Sequence, residues 1–181
     1  LVANAFGDGE GTLIHGGSKM SMEVRNKVRS IATEADVAKV TVLGVKDRPG
    51  IAASLFEPLA EKGISVDIIV QNAGVEGSTD VTFTVASIEL ARALEVIEPV
   101  AQEIDSRGVT SSAKLAKVSS VGTGMLNAPG YAARMFKALY TEGINIEMIT
   151  TSEIRITCIV AEERIADAAR ALHRTFELEE P

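Results

Sequence analysis

Cysteine, histidine and tryptophan are scarce in this 181-residue chain, which has one cysteine, two histidines and no tryptophan. A single cysteine cannot form a disulfide within the chain, so nothing indicates an oxidising compartment, and the cytoplasm is the expected location. Neither histidine has a cysteine or carboxylate partner at ligand spacing, so no metal site is expected. Cys158 lies in the apolar run ITCIV and is expected to pack as a small hydrophobe, because no adjacent base favours a thiolate.

Long apolar runs and a surplus of positive charge are also absent. No stretch of about 18 apolar residues occurs, and the N-terminus lacks the basic and apolar pattern of a signal peptide. The sequence therefore indicates neither a membrane span nor secretion. The formal net charge of −7 disfavours nucleic acid and anionic membranes as partners, because both are negatively charged. Small molecules and other proteins are the partners that we expect.

Catalytic motifs are missing as well. The segment FGDGEGTLIHGG is rich in glycine, but it lacks the Gly-Lys-Ser/Thr of a phosphate-binding loop. The string VGTGM follows a predicted strand, but Asn127 stands where a dinucleotide-binding turn needs its third glycine. A kinase also needs positive charge or metal ions around the transferred phosphate. We therefore expect no catalytic residues and no cofactor in this chain.

What the sequence does contain is an internal repeat. The string KDRPGIAASLF at 46–56 returns as LNAPGYAARMF at 126–136, with the two Pro-Gly turns eighty positions apart. The matches continue downstream as far as Asp67 and Glu147. Identity at turns and similarity at apolar positions is what a duplicated supersecondary unit retains. The chain therefore carries two copies of one unit.

Each copy predicts the same order of elements: strand, helix, strand, strand, helix. The strands are rich in β-branched residues, and the helices place apolar residues on one face. The expected ranges are 38–43, 52–63, 65–71, 79–85 and 88–104 in the first copy, and 116–121, 130–142, 144–150, 154–160 and 163–175 in the second. The loop between the middle strands is shorter in the second copy, where Asp80 is aligned with Glu153.

This order predicts an α+β fold of two tandem ferredoxin-like βαββαβ units, each an antiparallel sheet with helices on one face. Copy one, residues 37–114, has a candidate fourth strand at 107–115. Copy two, residues 115–181, has no fourth strand of its own, because the chain ends soon after its last helix. We expect the strand-capable string VRNKVRSIAT, inside a linker at 24–36, to complete the second sheet.

The repeated turn is a candidate binding site for an amino acid. A strand followed by Asp-x-Pro-Gly and a helix presents unpaired backbone N–H groups, where a carboxylate is favoured. Small residues such as Ala52 and Ala132 allow a ligand to approach, and Gln71, Asn72 and Asp80 on neighbouring strand ends suit an ammonium and a polar side chain. The alternative is that Asp-x-Pro-Gly is only a good turn.

The two copies resemble ACT domains, and in particular the tandem ACT pair of aspartate kinases. The resemblance runs from about Val37 to the C-terminus, and the combination of IVQN in copy one with NIEMITTSEI in copy two is specific. Residues 1–16 are similar to the end of that family's catalytic domain. We therefore interpret 1–23 as a stub of the kinase domain and a linker.

The resemblance implies feedback control by end products. L-threonine, L-lysine or both would bind between ACT domains and inhibit a kinase that phosphorylates L-aspartate with ATP. The implied effector-binding residues are Asp47, Gly50, Ile51, Ala52, Gln71, Asn72 and Asp80 in copy one, and Asn127, Gly130, Tyr131, Ala132, Asn145, Ile146, Thr151, Ser152 and Glu153 in copy two. Arg155 and Cys158 depart from the family's usual pattern.

The same resemblance implies partners. ATP and magnesium would belong to the catalytic domain or subunit. A homodimer is expected on separate grounds: each copy exposes a sheet edge or face that so small a unit cannot cover, so we expect two chains to pair, copy one against copy two, into a continuous sheet. The alternative is a structural dimerisation module of a larger enzyme, whose sheets pair with another copy and bind no ligand.

Overall fold

The computed structural model describes residues 27–72, 77–123, 125 and 129–178. The elements are β1 (Ser30–Lys46), α1 (Ile51–Glu61), β2 (Ile69–Gln71), β3 (Ser78–Ala86), α2 (Leu90–Glu103), β4 (Gly108–Val121), α3 (Tyr131–Thr141), β5 (Met148–Thr151), β6 (Arg155–Ala161) and α4 (Ile165–Thr175). The α+β class and the repeated element order are confirmed. The expected stub at 1–23, the start of the 24–36 linker and Asn127 lie outside the described residues.

The strands form one antiparallel sheet in the order β2-β3-β1-β4-β6-β5. Strands β1 and β4 lie at its centre and are long, at 17 and 14 residues. The second half of β1 pairs with the first half of β4, from Val37 opposite Leu115 to Leu43 opposite Gly108. The first half of β1 pairs with the second half of β4, from Ser30 to Glu34. Each copy therefore has a four-stranded ferredoxin-like sheet, and the two sheets are continuous.

Both central strands change course between the copies. Asp36 in β1 and Lys114 in β4 have left-handed backbones, with φ of 60° and 55°, and the register of the β1–β4 ladder shifts around Val37. A positive φ is uncommon for residues other than glycine, so a strand residue that adopts it marks a bulge. The two residues are equivalent in the repeat. Both bulges therefore lie where a strand leaves one copy and enters the other.

Each copy packs a pair of helices on its part of the sheet. In copy one, Leu55 and Leu59 of α1 and Ile97 of α2 are fully buried against the β1 and β3 side chains, and Phe56 meets Phe83 edge to face at 5.4 Å between ring centroids. Burying a side chain of this size contributes about 1.5–3 kcal/mol. Copy one therefore has a hydrophobic core of its own.

Copy two has an equivalent core. Met135 and Leu139 of α3 and Leu172 of α4 are fully buried against β4 and β6, and Phe176 closes one end. Cys158 lies in this core, and burial raises the pKa of its thiol to about 12. The thiol is therefore protonated at neutral pH and packs as a hydrophobe. Among the described residues, no helix has the length and apolar character to cross a membrane.

Candidate functional site

The repeated turn has the same backbone in both copies. Gly50 precedes α1 with φ 89° and ψ −12°, and Gly130 precedes α3 with φ 101° and ψ −14°. Only glycine adopts this left-handed conformation without strain. Neither helix has a side-chain cap at its N-terminus. In copy one the N–H of Ile51 donates to the carbonyl of Arg48 at 3.3 Å, so the N–H groups that this helix start offers to an anionic ligand are those of the residues that follow.

In copy one the structure brings the turn beside the β2–β3 hairpin. The N–H of Asp47 donates to the carbonyl of Gly77 at 2.9 Å, and Thr79 Oγ1 donates to the carbonyl of Asn72 at 2.7 Å. Asp47, Gln71 and Asn72 are all exposed. These predicted site residues therefore share one end of the sheet and leave their polar groups accessible.

The neighbouring predicted residues are more constrained. Ile51 is buried in the core of copy one, so its side chain is closed to a ligand at the turn, whereas Ala52 is exposed. Asp80 accepts a hydrogen bond from the N–H of Gly44 at 2.8 Å and lies 3.4 Å from the Arg107 guanidinium. One carboxylate oxygen of Asp80 is therefore already engaged in holding β1.

In copy two, Tyr131 of the turn packs into the core. Its ring stacks on Phe176 with centroids 6.1 Å apart, and its hydroxyl accepts a hydrogen bond from the N–H of Lys27 at 3.1 Å. The Arg134 guanidinium lies over both rings, at 5.8 and 5.0 Å from their centroids. The Tyr131 side chain therefore closes the core, while Ala132 beside it is half-buried.

The remaining predicted residues of copy two lie at two ends of its sheet. Thr151, Ser152 and Glu153 are exposed in the β5–β6 hairpin, at the end where the Gly130 turn lies. Asn145 and Ile146 precede β5 at the other end, where the Asn145 amide donates to Glu147 at 3.3 Å and Ile146 packs on the core. Within one chain, the structure does not bring Asn145 to the turn.

The strand register corrects one alignment made from the sequence. Thr41 pairs with Thr82 in copy one, and its equivalent Ser119 pairs with Thr157 in copy two. Counting back two residues on each partner strand makes Asp80 equivalent to Arg155. The alignment of Asp80 with Glu153 was therefore wrong by two residues. The loop between β5 and β6 is shorter than the loop between β2 and β3, and the alignment placed the residues of β6 two positions too early. An acid in copy one is thus replaced by a base in copy two.

The two copies also meet through an inter-copy seam, defined here as the contact around Val37, Leu115 and Ile159. These three side chains form a buried cluster on the face of each sheet that its own helices leave uncovered. Ile68, before β2, and Met148, at the start of β5, pack against the cluster from the two copies. Sequence reasoning missed this seam. The sequence did contain a signal for it: the two copies have apolar residues at matched positions that lie outside the cores predicted beneath the helices.

Reciprocal ion pairs flank the seam. Lys39 of copy one binds Glu147 of copy two at 2.9 Å, and the equivalent Lys117 binds Asp67 of copy one. Lys117 also binds Glu34 at 2.8 Å. The repeat had already matched Asp67 with Glu147, but nothing in the sequence paired either carboxylate with a lysine of the other copy. The seam therefore has approximate two-fold symmetry.

These ion pairs shift pKa values in opposite directions. Burial disfavours the charged form of Lys117, but hydrogen bonds from its ammonium to Asp67 and Glu34 outweigh burial and raise its pKa. The hydrogen bond from Lys39, together with its charge, lowers the pKa of Glu147. At neutral pH the Lys117 ammonium and the Glu147 carboxylate are therefore both charged. In the described parts of the chain, no three side chains suited to metal binding converge.

Comparisons with known proteins place this geometry in a family. A family model described as ACT domain matches residues 40–99 and 118–176, which together exceed half of the chain. These ranges coincide with the two βαββα units described above. The chain therefore belongs to the ACT domain family.

The relatives are more specific. An aspartate kinase from Pseudomonas fluorescens (strain SBW25) is 44% identical over 180 residues, which cover 99% of this chain and 43% of the relative. A crystal structure of the regulatory subunit of aspartate kinase from Thermus thermophilus matches with a TM-score of 0.76 at 41% identity, covering 83% of this chain and 99% of that one. A structure of aspartokinase alpha and beta subunits matches with a TM-score of 0.77 at 38% identity, with the same coverage. The chain spans less than half the length of the curated relatives and corresponds to the ACT regulatory part of an aspartate kinase.

Proposed function

We propose that this chain binds L-threonine, L-lysine or both, and thereby inhibits the aspartate kinase to which it belongs. The reaction under control is phosphate transfer from ATP to L-aspartate, which gives 4-phospho-L-aspartate. ATP and magnesium bind the catalytic domain or subunit, and the location is the cytoplasm. The observation that carries the proposal is the pair of identical uncapped turns, Gly50 before α1 and Gly130 before α3.

The first-copy turn offers complementary groups for an amino-acid zwitterion. The N-terminus of α1 presents backbone N–H groups and a partial positive charge to the effector carboxylate. Asp47 is exposed beside it and suits the effector ammonium. Gln71 and Asn72 are exposed at the adjacent strand end and suit a polar side chain. The site therefore matches both charged ends of an amino acid and one side-chain contact.

The sheet edges support a homodimer. Strands β2 and β5 are the two edges, and their equivalent residues Ile69 and Ile149 are large apolar side chains that are 51% and 44% exposed. Exposed apolar edge strands tend to be covered by pairing with another chain. If β2 of one chain lies antiparallel to β5 of another, two such contacts close a two-fold dimer. Asn145 and Ile146 of one chain then approach Gln71 of the other.

Titration calorimetry tests the effector proposal against the structural alternative. We expect L-threonine or L-lysine to bind the chain saturably and L-aspartate, as control, not to bind. The Asp47→Ala variant should lose binding without losing its fold, whereas Glu61→Ala, an exposed carboxylate at the far end of α1, should bind as the parent chain does. Binding by Asp47→Ala at parental affinity would refute this assignment, and silence from both amino acids would favour the dimerisation module.

Inhibition is tested on the complete kinase. Effector coupling between distant sites is typically about 1–3 kcal/mol. We therefore expect the effector to lower kinase activity in the parent enzyme, and Asp47→Ala to retain basal activity and lose the response. An enzyme whose Asp47→Ala variant is still inhibited at the same effector concentration contradicts the proposal.

A further inference from the structure

A polar cleft lies at the inter-copy seam and is lined by residues outside the two turns. Its volume is about 390 Å³, which is enough for a small organic molecule. Its floor is the helix-free face of copy two, and its wall is formed by Asp67 and Ile68, which come from copy one. The cleft therefore exists only because the two copies are joined.

The floor carries a buried pair of hydroxyls. Ser119 Oγ and Thr157 Oγ1 lie 2.8 Å apart, and both residues are at most 5% exposed. One of the two hydroxyls donates to the other, so a second hydroxyl proton remains for a ligand acceptor. Arg155, two residues before Thr157 on β6, also lines the cleft and is exposed. Within the described part of the chain, no carboxylate lies within ion-pair distance of Arg155. A guanidinium beside a hydroxyl donor is a suitable site for a carboxylate.

The other side of the cleft carries negative charge. Lys117 holds Glu34 and Asp67 together, but both carboxylates are largely exposed and have further acceptor positions. Across the cleft, these two carboxylates balance the charges of Lys117 and Arg155. A ligand with a net charge would upset this balance, whereas a zwitterion places its positive end at the carboxylates and its negative end at Arg155.

Copy one shows why the cleft is specific to copy two. The hydroxyl pair of copy one, Thr41 and Thr82, is equivalent, with oxygens 2.9 Å apart. At the position equivalent to Arg155, however, copy one has Asp80, whose carboxylate binds the N–H of Gly44. The equivalent surface of copy one therefore has a carboxylate where copy two has the Arg155 guanidinium, and the nearby Arg107 guanidinium is paired with that carboxylate at 3.4 Å.

We propose that the cleft is a second amino-acid site, in which Arg155 and the Ser119–Thr157 hydroxyl pair bind the carboxylate of a small neutral α-amino acid, and Asp67 and Glu34 bind its ammonium. The side chain of the amino acid packs against Ile68. Because the ligand touches both copies, its binding favours the observed arrangement of the seam. This site is separate from the effector turns and does not depend on the function proposed for them.

Nuclear magnetic resonance of the ¹⁵N-labelled full chain tests this site, with L-alanine, L-threonine and L-methionine as probes. We expect at least one probe to shift the amide signals of Ser119 and Thr157 saturably. Arg155→Gln should weaken that binding about tenfold or more, because it removes charge-assisted hydrogen bonds. The matched control Arg170→Gln, on the surface of α4, should leave it unchanged.

Three outcomes would overturn the proposal: no shift at Ser119 or Thr157 with any probe, equal binding by Arg155→Gln, or equal binding of propionate, which has no ammonium. The effector proposal is tested by different amide signals in the same spectra. A ligand at the first turn shifts Ala52 and Gln71 and depends on Asp47, so Asp47→Ala distinguishes the two sites.

Discussion

Copy one and copy two have the same backbone at the turn, at the strand bulges and at the seam, but they differ in particular side chains at the turn and on the helix-free face. The turn residue after the glycine is Ile51 in copy one and Tyr131 in copy two, and both side chains pack against a core. On the helix-free face, Asp80 is replaced by Arg155. The duplication has therefore kept the backbone that defines the fold and has changed the charge of the helix-free face.

The cores offer the largest test of this equivalence. Leu59 and Leu139 are equivalent and fully buried, so Leu59→Ala and Leu139→Ala should each lower the free energy of unfolding by about 2–5 kcal/mol. Because β1 and β4 run through both copies, we expect one cooperative unfolding transition in each variant. Denaturation followed by circular dichroism and by Cys158 alkylation checks this. Two separated transitions would show that the copies unfold independently.

The two lysines of the seam should contribute unequally to the free energy of unfolding, although their positions are related by the approximate two-fold symmetry. Lys117 binds two carboxylates and is more buried than Lys39, which binds one. Lys117→Met should lower the free energy of unfolding by about 1–2 kcal/mol, and Lys39→Met should lower it by less. Both losses are modest, because the exposed carboxylates that lose their lysine partner are hydrated instead. Urea unfolding of both variants measures the difference. Equal losses would mean that the second carboxylate adds nothing.

The turns should respond alike. Gly50→Ala and Gly130→Ala each force a residue with a Cβ into a left-handed backbone, although no atom crowds that Cβ. The cost should be about 1 kcal/mol in each copy, because only the conformation is strained. Thermal unfolding of the two variants gives the comparison. A markedly larger loss in one copy would indicate that its turn makes contacts that the other lacks.

The smallest expected effect is the pH dependence of the seam. The pKa of Glu147 is lowered from its ordinary value near 4.5, so its ion pair stabilises the fold above that pH, and this contribution is lost as the pH falls through the lowered pKa. The pKa of Lys117 is raised above its ordinary 10.5, so its contribution is present below that pH and is lost as the pH rises through the raised pKa.

Two variants separate these contributions. Glu147→Gln should flatten the acid limb of stability against pH, and Lys117→Met should flatten the alkaline limb. Urea unfolding at a series of pH values supplies the curves. An acid limb in Glu147→Gln or an alkaline limb in Lys117→Met that matches the parent chain would contradict the assignment for that pair.

Much of the fold could be predicted from the periodicity of apolar residues in the sequence. Helices α1 and α3 begin at the Pro-Gly turns and the strands contain the β-branched runs, because turn chemistry and side-chain alternation act locally. The continuity of the sheet did not follow. Asp36 and Lys114 bend the strands, but a lysine in a strand gives no local signal for a left-handed backbone. The seam was missed for a similar reason, since the pairing of Lys117 with Asp67 is visible only once the copies are in contact.

The candidate site was predictable to a different extent. The turn glycines and the neighbouring strand ends could be located from the repeat, because duplication marks positions that share a conformation. The stacking of Tyr131 on Phe176, with Arg134 over both rings, joins residues that are far apart in the sequence, and no local pattern contains that information. The equivalence of Asp80 with Arg155 required the strand register, which a hairpin of different length concealed.

The two central strands have a consequence for dividing the molecule. A cut within β4 near Lys114 would leave the four strands of copy one on the N-terminal fragment, together with residues 30–34 of β1, which complete the sheet of copy two. The C-terminal fragment would lack this partner for its part of β4, so we expect the two fragments to reassociate like the parts of a split reporter. In such a tandem pair, strain introduced in one half is passed to the other along an unbroken main chain.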